Sequence, residues 1–270
     1  MRKGENYASQ TSFCPCVLTV FFYNYAKGAS SFKSWRRILF PDKERNMGEE
    51  NLMPIMEPEF VRDRHVYANS QFWEVLKDAM RFFHGTPVLP LPPPKSFDGA
   101  GVYAIYCVAK SGLYRTYGEK LNRTSYDVPI YVGSAVPSGW RQNRVVDDGI
   151  AAGTALYRRL KQHAESISCG KGLDVIDFSC RFAILEGDTA NMIAALEAAI
   201  IAEHTPLWNS VIDGFGNHNP GKKRVTGKRP QWDCLHPGRP WAMNMTGDVF
   251  PEADLRRRVT DYLMGIQCRR

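Results

Sequence analysis

GVYAIY at residues 101–106, PIYVGSA at 129–135 and TALYRRLKQHAES at 154–166 follow one another along the chain, and their reading decides the fold. The first two runs are short, rich in β-branched and aromatic residues, and alternate about a central tyrosine, Tyr103 and Tyr131, as β-strands do. The third has helical periodicity. Thr154 is a good N-cap residue, and Leu156, Leu160 and Ala164 fall on one stripe. Arg159 and His163 are four residues apart and share a different face. Two phenols, a guanidinium and an imidazole are therefore expected beside one small sheet. That set suits chemistry on a phosphate, because Arg neutralises anionic oxygens bidentately while His and Tyr move protons.

With these residues in view, the chain resembles the GIY-YIG nuclease superfamily. GVY stands for the first motif and YVG for the second, with Val102 and Val132 where the motif name has Ile; the helical Arg159 and His163 follow. The resemblance also implies a metal-binding Glu on a later helix, supplied by Glu197 in ANMIAALEAAIIAEH (190–204), and an Asn after it, Asn209 in PLWNS. A closer likeness, from about residue 65 onward, is to the GIY-YIG type II restriction endonucleases that cut the palindrome CCGCGG. It is carried by RFFHGTPV, LPPP, GAGVYAIY, VPIYVGSAVPSGWRQNR, FSCRF, PLWN, VIDGFGNHNPG and HPGR. The implied activity is Mg²⁺-dependent hydrolysis of both strands of double-stranded DNA, leaving 5′-phosphate and 3′-hydroxyl ends, with one divalent metal per active site. The alternatives are a homing- or repair-type GIY-YIG nuclease and a DNA-binding module without catalysis. A module lying mid-chain, with insertions between its motifs and every catalytic position filled, argues against both.

The roles follow from the residues. Tyr103 is the candidate to activate the attacking water. A phenol titrates near about 10 and is a poor base unless a cation and a proton acceptor stand beside it. His163 is the candidate acceptor. Arg159, rather than its neighbour Arg158, lies on the His163 face and is expected to stabilise the pentacovalent transition state. Tyr131 is expected to bond the phosphate or the water, and Asn209 to orient the site through its amide. Glu197 sits among apolar and small residues, where a carboxylate is costly unless paired or on a metal, and one carboxylate with waters suits Mg²⁺. A site made only of G·C pairs is read by Arg or Lys on guanine O6 and N7. Arg141 and Arg144 in the second insertion, and Lys222, Lys223 and Arg224 in the Gly-Asn loop, are the candidates. A palindrome also predicts a two-fold homodimer, with a tetramer as the larger option.

Around this centre the rest is placed by order. Strands are expected near 101–108, 129–134 and 178–186, and helices at 154–166 and 190–204. This gives an α+β fold, a small mixed β-sheet in a β-β-α-β-α core elaborated by insertions at 110–128 and 137–153. A capped helix over 65–85 places Phe72, Val75, Leu76, Met80 and Phe83 at helical spacing, read as core ahead of a dimer face. TPVLPLPPP at 86–94 reads as extended polyproline, IDGFGNHNPGKKR as loop, and ADLRRRVTDYLMGI at 253–266 as a last helix whose arginines face solvent ahead of the alternative, DNA phosphate. Residues 59–270 form the expected endonuclease domain. Residues 1–58 are an extension, read as poorly ordered, as preceding a natural start at Met47, Met53 or Met56, or as an added DNA-contacting or assembly segment.

Composition fits this reading without deciding it. The net charge of +7 is concentrated at the C-terminal end, where residues 221–270 hold eleven Lys or Arg against five Asp or Glu; such a segment suits a polyanion. Seven scattered cysteines make no zinc set: Cys14 with Cys16, and Cys234 with His236, lack a second pair. Reduced cysteines and the lack of an apolar run of about eighteen residues point to a cytoplasmic protein with no membrane partner.

Overall fold

The structure is a computed structural model that describes residues 60–137, 153–221 and 224–269. The chain divides into two units, Met1–Val66 and Tyr67–Arg270, and the second holds the sheet with its helices. Four strands, β1 (Leu89–Pro90), β2 (Gly101–Cys107), β3 (Tyr131–Ala135) and β4 (Phe178–Ile184), form one sheet in the order β1-β4-β2-β3. Every pairing is antiparallel, which narrows the mixed sheet expected. With α1 (Ser70–Gly85), α2 (Ala155–Cys169) and α3 (Ile193–His204), the β2-β3-α2-β4-α3 order is the expected β-β-α-β-α core. Four further helices, α4 (Leu207–Ser210), α5 (Gln231–Leu235), α6 (Pro240–Met243) and α7 (Glu252–Arg269), follow it.

The sheet is covered on both faces, so every residue of β2 is buried. Tyr103, Ile105 and Tyr131 point to one side, against Leu156, Leu160 and Ile167 of α2, Trp208 of α4 and the Leu255, Val259, Leu263, Ile266 stripe of α7. Val102, Ala104, Tyr106 and Val132 point to the other, against Leu76 and Phe83 of α1 and Ile193, Leu196 and Ile200 of α3. The alternation seen in GVYAIY thus sorts side chains between two cores rather than between core and water.

Several local expectations are corrected. Thr154 occupies the N-cap of α2, but its side chain makes no capping hydrogen bond; the Asn69 side chain does cap α1, accepting from the Gln71 N–H. On α1, Leu76 and Phe83 are buried, while Phe72 and Val75 are about half exposed, at 51% and 52%, because α1 lies on the sheet by one edge of its apolar stripe. The proline-rich lead is not wholly polyproline: Leu89 and Pro90 pair with Cys180 and Ser179 as an edge strand. Pro is tolerated there because an edge needs no donor on its outer side. The first insertion is built into the core through Tyr114, Tyr117 and Leu121. The α7 arginines face outward and bond within the protein, Arg256 to Glu252, Arg257 to Asp254 and Arg258 to Gln231. Residues 1–58, and most of the second insertion, lie outside the described residues.

One polar chain is fully enclosed. Trp208 Nε1 donates to Tyr114 Oη at 3.1 Å, and Tyr114 Oη lies 2.6 Å from His236 Nε2. His236 Nδ1 stands 3.0 Å from the Lys171 carbonyl. This places the His236 proton on Nδ1 and leaves Nε2 as acceptor. Both nitrogens are thereby used by the protein, so His236 is a structural histidine rather than half of a metal site with Cys234. Burial lowers its pKa from 6.5 to about 4. The unfolded chain therefore binds this proton first, and stability is expected to fall as the pH drops from about 6.5 toward 4, by about 3 kcal/mol in all for this group. Urea melts of wild type and His236→Gln between pH 4 and 7 check it: the variant should show the shallower dependence.

Candidate active site

The site is assembled at the edge of the sheet, where β3 has no further strand beside it among the described residues. Tyr103 and Gly133 are directly opposed across β2 and β3. A Cβ on Gly133 would lie 2.5 Å from Tyr103 Oη, so the missing side chain lets the phenol lie across the strand. Tyr103 Oη reaches His163 Nε2 on α2 at 2.6 Å. Tyr131 packs beside both rings, its centroid 6.3 Å from that of Tyr103 and 5.2 Å from that of His163. Phe215 stacks on His163 at 4.6 Å and meets Tyr131 edge to face at 4.9 Å. Gly133→Ala is therefore expected to push Tyr103 off His163, destabilising the fold by about 1–3 kcal/mol. Cleavage should fall well beyond the stability loss, as thermal melts run beside plasmid cleavage would read.

Arg159, one turn before His163, is half-buried. Its Nη2 donates to the Gly216 carbonyl at 2.6 Å, and its Nη1 lies 2.8 Å from His218 Nε2. A Cβ on Gly216 would meet Tyr131 Oη at 2.3 Å, so this glycine lets the loop close over Tyr131 while offering its carbonyl to Arg159. Arg158 is exposed. His218 and Gly216 were given no role from sequence: VIDGFGNHNPG carried part of the family likeness and the KKR after it supplied candidate DNA contacts, but the run itself reads as loop.

Glu197 lies on the opposite side of the sheet from the two phenols. It is on α3, and Ser134 Oγ of β3 donates to its Oε2 at 2.6 Å. Burial is what chiefly raises the pKa of Tyr103 and Tyr131, and the Glu197 charge adds a lesser upward push on both. Among the described residues it has no ion-pair partner; a hard-oxygen pair, carboxylate with hydroxyl, fits an oxygen-loving cation such as Mg²⁺. Asn209, on α4, takes the outer side of the same strand. Val132 N–H donates to its Oδ1 and its Nδ2 donates to the Val132 carbonyl, each at 2.8 Å. The amide thus stands in for a missing fifth strand and fixes the backbone between Tyr131 and Gly133.

Burial dominates the electrostatics. Tyr103 is held well above 10, first by desolvation and then by Tyr131, with Arg159 pulling the other way. The cation beside the phenol does not win, contrary to the expectation that it would lower this pKa. His163 is held well below 6.5 by burial and then by Arg159, so it is neutral; with its ring proton on Nδ1, its Nε2 is the acceptor facing the phenol. Tyr131 is raised, again by burial first. Arg224 is exposed in a turn; Arg141, Arg144, Lys222 and Lys223 lie outside the described residues.

The geometry brings Tyr103, Tyr131, Arg159 and His163 together on one face and Glu197 to the rim of the same edge strand. The family model described as the Eco29kI GIY-YIG domain matches residues 95–263, well over half of the chain. The chain belongs to this GIY-YIG family. It is a restriction-type nuclease domain whose substrate is DNA. No curated protein matched the chain. Every element of this GIY-YIG core, β2 through α3, falls inside the matched span, as do α4 and the Gly214–Asn217 loop. Among the described residues no helix is long and apolar enough to cross a membrane.

Proposed function

We propose that the protein is a type II restriction endonuclease that hydrolyses both strands of double-stranded DNA at the palindrome CCGCGG, with Mg²⁺, leaving 5′-phosphate and 3′-hydroxyl ends. The observation that carries this reading is the 2.6 Å contact of Tyr103 Oη with a neutral His163 Nε2, beside Arg159 and across one strand from Glu197.

Attack on phosphorus requires a proton to leave the water. With Tyr103 held neutral by burial, its oxygen takes the water proton only as its own proton passes to His163 Nε2, so water, phenol and imidazole act as one relay. Arg159 is held by Gly216 and His218 with its guanidinium edge beside Tyr131, ready to meet the charge that grows on the phosphoryl oxygens. The P–O3′ bond breaks as the water oxygen bonds to phosphorus, and the departing 3′-oxygen is protonated from solvent. Glu197, with Ser134 orienting it, would hold the divalent cation, which supplies Lewis-acid stabilisation of the scissile phosphate and leaving oxygen. Asn209 acts through Val132, keeping the β3 backbone and hence Tyr131 in place.

The test is plasmid DNA incubated with protein and Mg²⁺. Discrete fragments whose ends map to CCGCGG support the reading, and a smear or uncut plasmid overturns it. In the same assay Arg159→Ala and Glu197→Ala are each expected to lose at least about 10²-fold in cleavage while melting like wild type. Sedimentation with a two-fold DNA duplex tests for the homodimer that a palindrome requires, a tetramer being the alternative.

A further inference from the structure

On the α1 and α3 side of the sheet, away from the two phenols, two helices end against each other. His84 is in the last turn of α1, and Glu203 and His204 close α3. His84 Nε2 is 3.1 Å from Glu203 Oε2, and His204 Nε2 is 3.4 Å from the same oxygen. One ligand atom from each residue lies within 4.8 Å of the others, and the two imidazoles meet edge to face, 5.2 Å between centroids. Nitrogen and oxygen ligands about 2.0–2.2 Å from a tetrahedral Zn²⁺ stand about 3.3–3.5 Å apart, close to both spacings. All three residues sit in the last turn of their helix, where the helix dipole favours a nearby cation. The cluster opens on a cavity of about 530 Å³ that Asp127 and Ser125 also line. Arg181 shares the cavity, but its guanidinium lies over the Tyr106 ring at 5.5 Å.

We propose that His84, Glu203 and His204 form a zinc-class metal site, separate from the catalytic centre, with its fourth position open to this cavity. Two imidazoles and one carboxylate are the donors that borderline-soft transition metals prefer, whereas Mg²⁺ takes oxygen. The bound ion would tie the end of α1 to the end of α3, the helix that carries Glu197 two turns upstream. Its role would be to fix α3 against the sheet.

The experiment titrates Zn²⁺ alone into wild-type protein and into Glu197→Gln, whose catalytic metal site is removed, by calorimetry with parallel melts. One equivalent should bind to Glu197→Gln and raise its Tm by roughly 5 °C at hundredfold excess over Kd. His84→Ala and His204→Ala should each weaken that binding at least about 100-fold; where an alanine variant fails to fold, the glutamine variant replaces it. Co²⁺ in place of Zn²⁺ should give visible absorption of a four-coordinate centre, absent from both His variants. No zinc binding by Glu197→Gln, or binding that either His variant leaves unchanged, overturns the site. Loss of cleavage in Glu197→Gln has no bearing on it, so this site and the proposed nuclease chemistry fail separately.

Discussion

Tyr103→Phe is expected to cleave DNA about 10²- to 10⁴-fold more slowly than wild type while keeping its fold. The change removes one oxygen from a buried ring, so the core around β2 stays filled. Its cost to stability comes from His163 Nε2, which loses the donor it faces at 2.6 Å. An imidazole nitrogen left without a partner in that enclosure costs about 1–3 kcal/mol. The larger effect is on rate, because the relay has lost its middle member. His163→Ala should be comparably slow, and the double variant little slower than either single, since the two act as one unit. Additive losses in single-turnover cleavage would contradict the relay. The pH profile gives a second reading. The relay needs neutral His163, and burial with Arg159 holds its pKa well below 6.5. In wild type, kcat/KM should therefore not decline on account of this residue as the pH is lowered from 8 to 6.5; an acid limb assigned to His163 at or above 6.5 would remove it as the acceptor.

Much of this arrangement was legible in the sequence because it rests on short-range rules. The two tyrosines announce themselves at the centres of runs with strand periodicity, and Arg159 and His163 by a spacing that only a helix turns into a shared face. Glu197 stands out as a charge in an otherwise apolar helix. What could not be read is how separate segments meet. Glu197 and the phenols occupy opposite sides of the sheet and meet at the edge strand β3 through Ser134 and Tyr131, a fact of strand order that no local pattern encodes. Asn209 is legible as an amide after a helix, but not as the partner of Val132. The net pKa of Tyr103 escapes sequence reading for the same reason: a neighbouring cation is visible in the helix spacing, whereas complete burial depends on how distant segments pack over β2, with Tyr131 and His163 against the ring itself. His218 and Arg239 were missed because each acts only once a loop has folded: His218 offers its ring to Arg159, and Arg239 binds backbone carbonyls that carry no sequence signature.

Arg239 is where the second large effect is expected. Its side chain is enclosed, with 4% of the residue exposed, and it is flanked by the Trp232 and Trp241 rings at 4.7 and 4.8 Å. It donates through Nε and Nη2 to the two Asp233 carboxylate oxygens at 2.7 and 2.5 Å. Its remaining donors reach the Phe215 and Gly214 carbonyls at 2.9 Å and the Asn217 carbonyl at 3.3 Å. One guanidinium thus neutralises a buried acid and holds the backbone of the loop that presents Gly216 and His218 to Arg159. Arg239→Ala leaves Asp233 buried without its counter-ion and the Phe215 and Asn217 carbonyls without their donor, Gly214 keeping only the Asn217 N–H, and a loss of about 3–5 kcal/mol is expected. Arg239→Lys cannot make the fork and should recover only part of this. Asp233→Asn separates the two roles. It removes the buried charge yet leaves the amide oxygen to accept and the loop carbonyls bonded, so it should destabilise less than Arg239→Ala. It should also keep more cleavage, because Arg159 still finds Gly216. Urea denaturation combined with cleavage rates distinguishes this from simple core packing. If the loop is what Arg239 controls, the rate lost in Arg239→Lys at a temperature where it is fully folded should match that of a variant that displaces the loop directly, such as Gly216→Ala, whose Cβ would collide with Tyr131 Oη. Full activity in folded Arg239→Lys would show that Arg239 serves the core alone and that Arg159 is positioned without the loop.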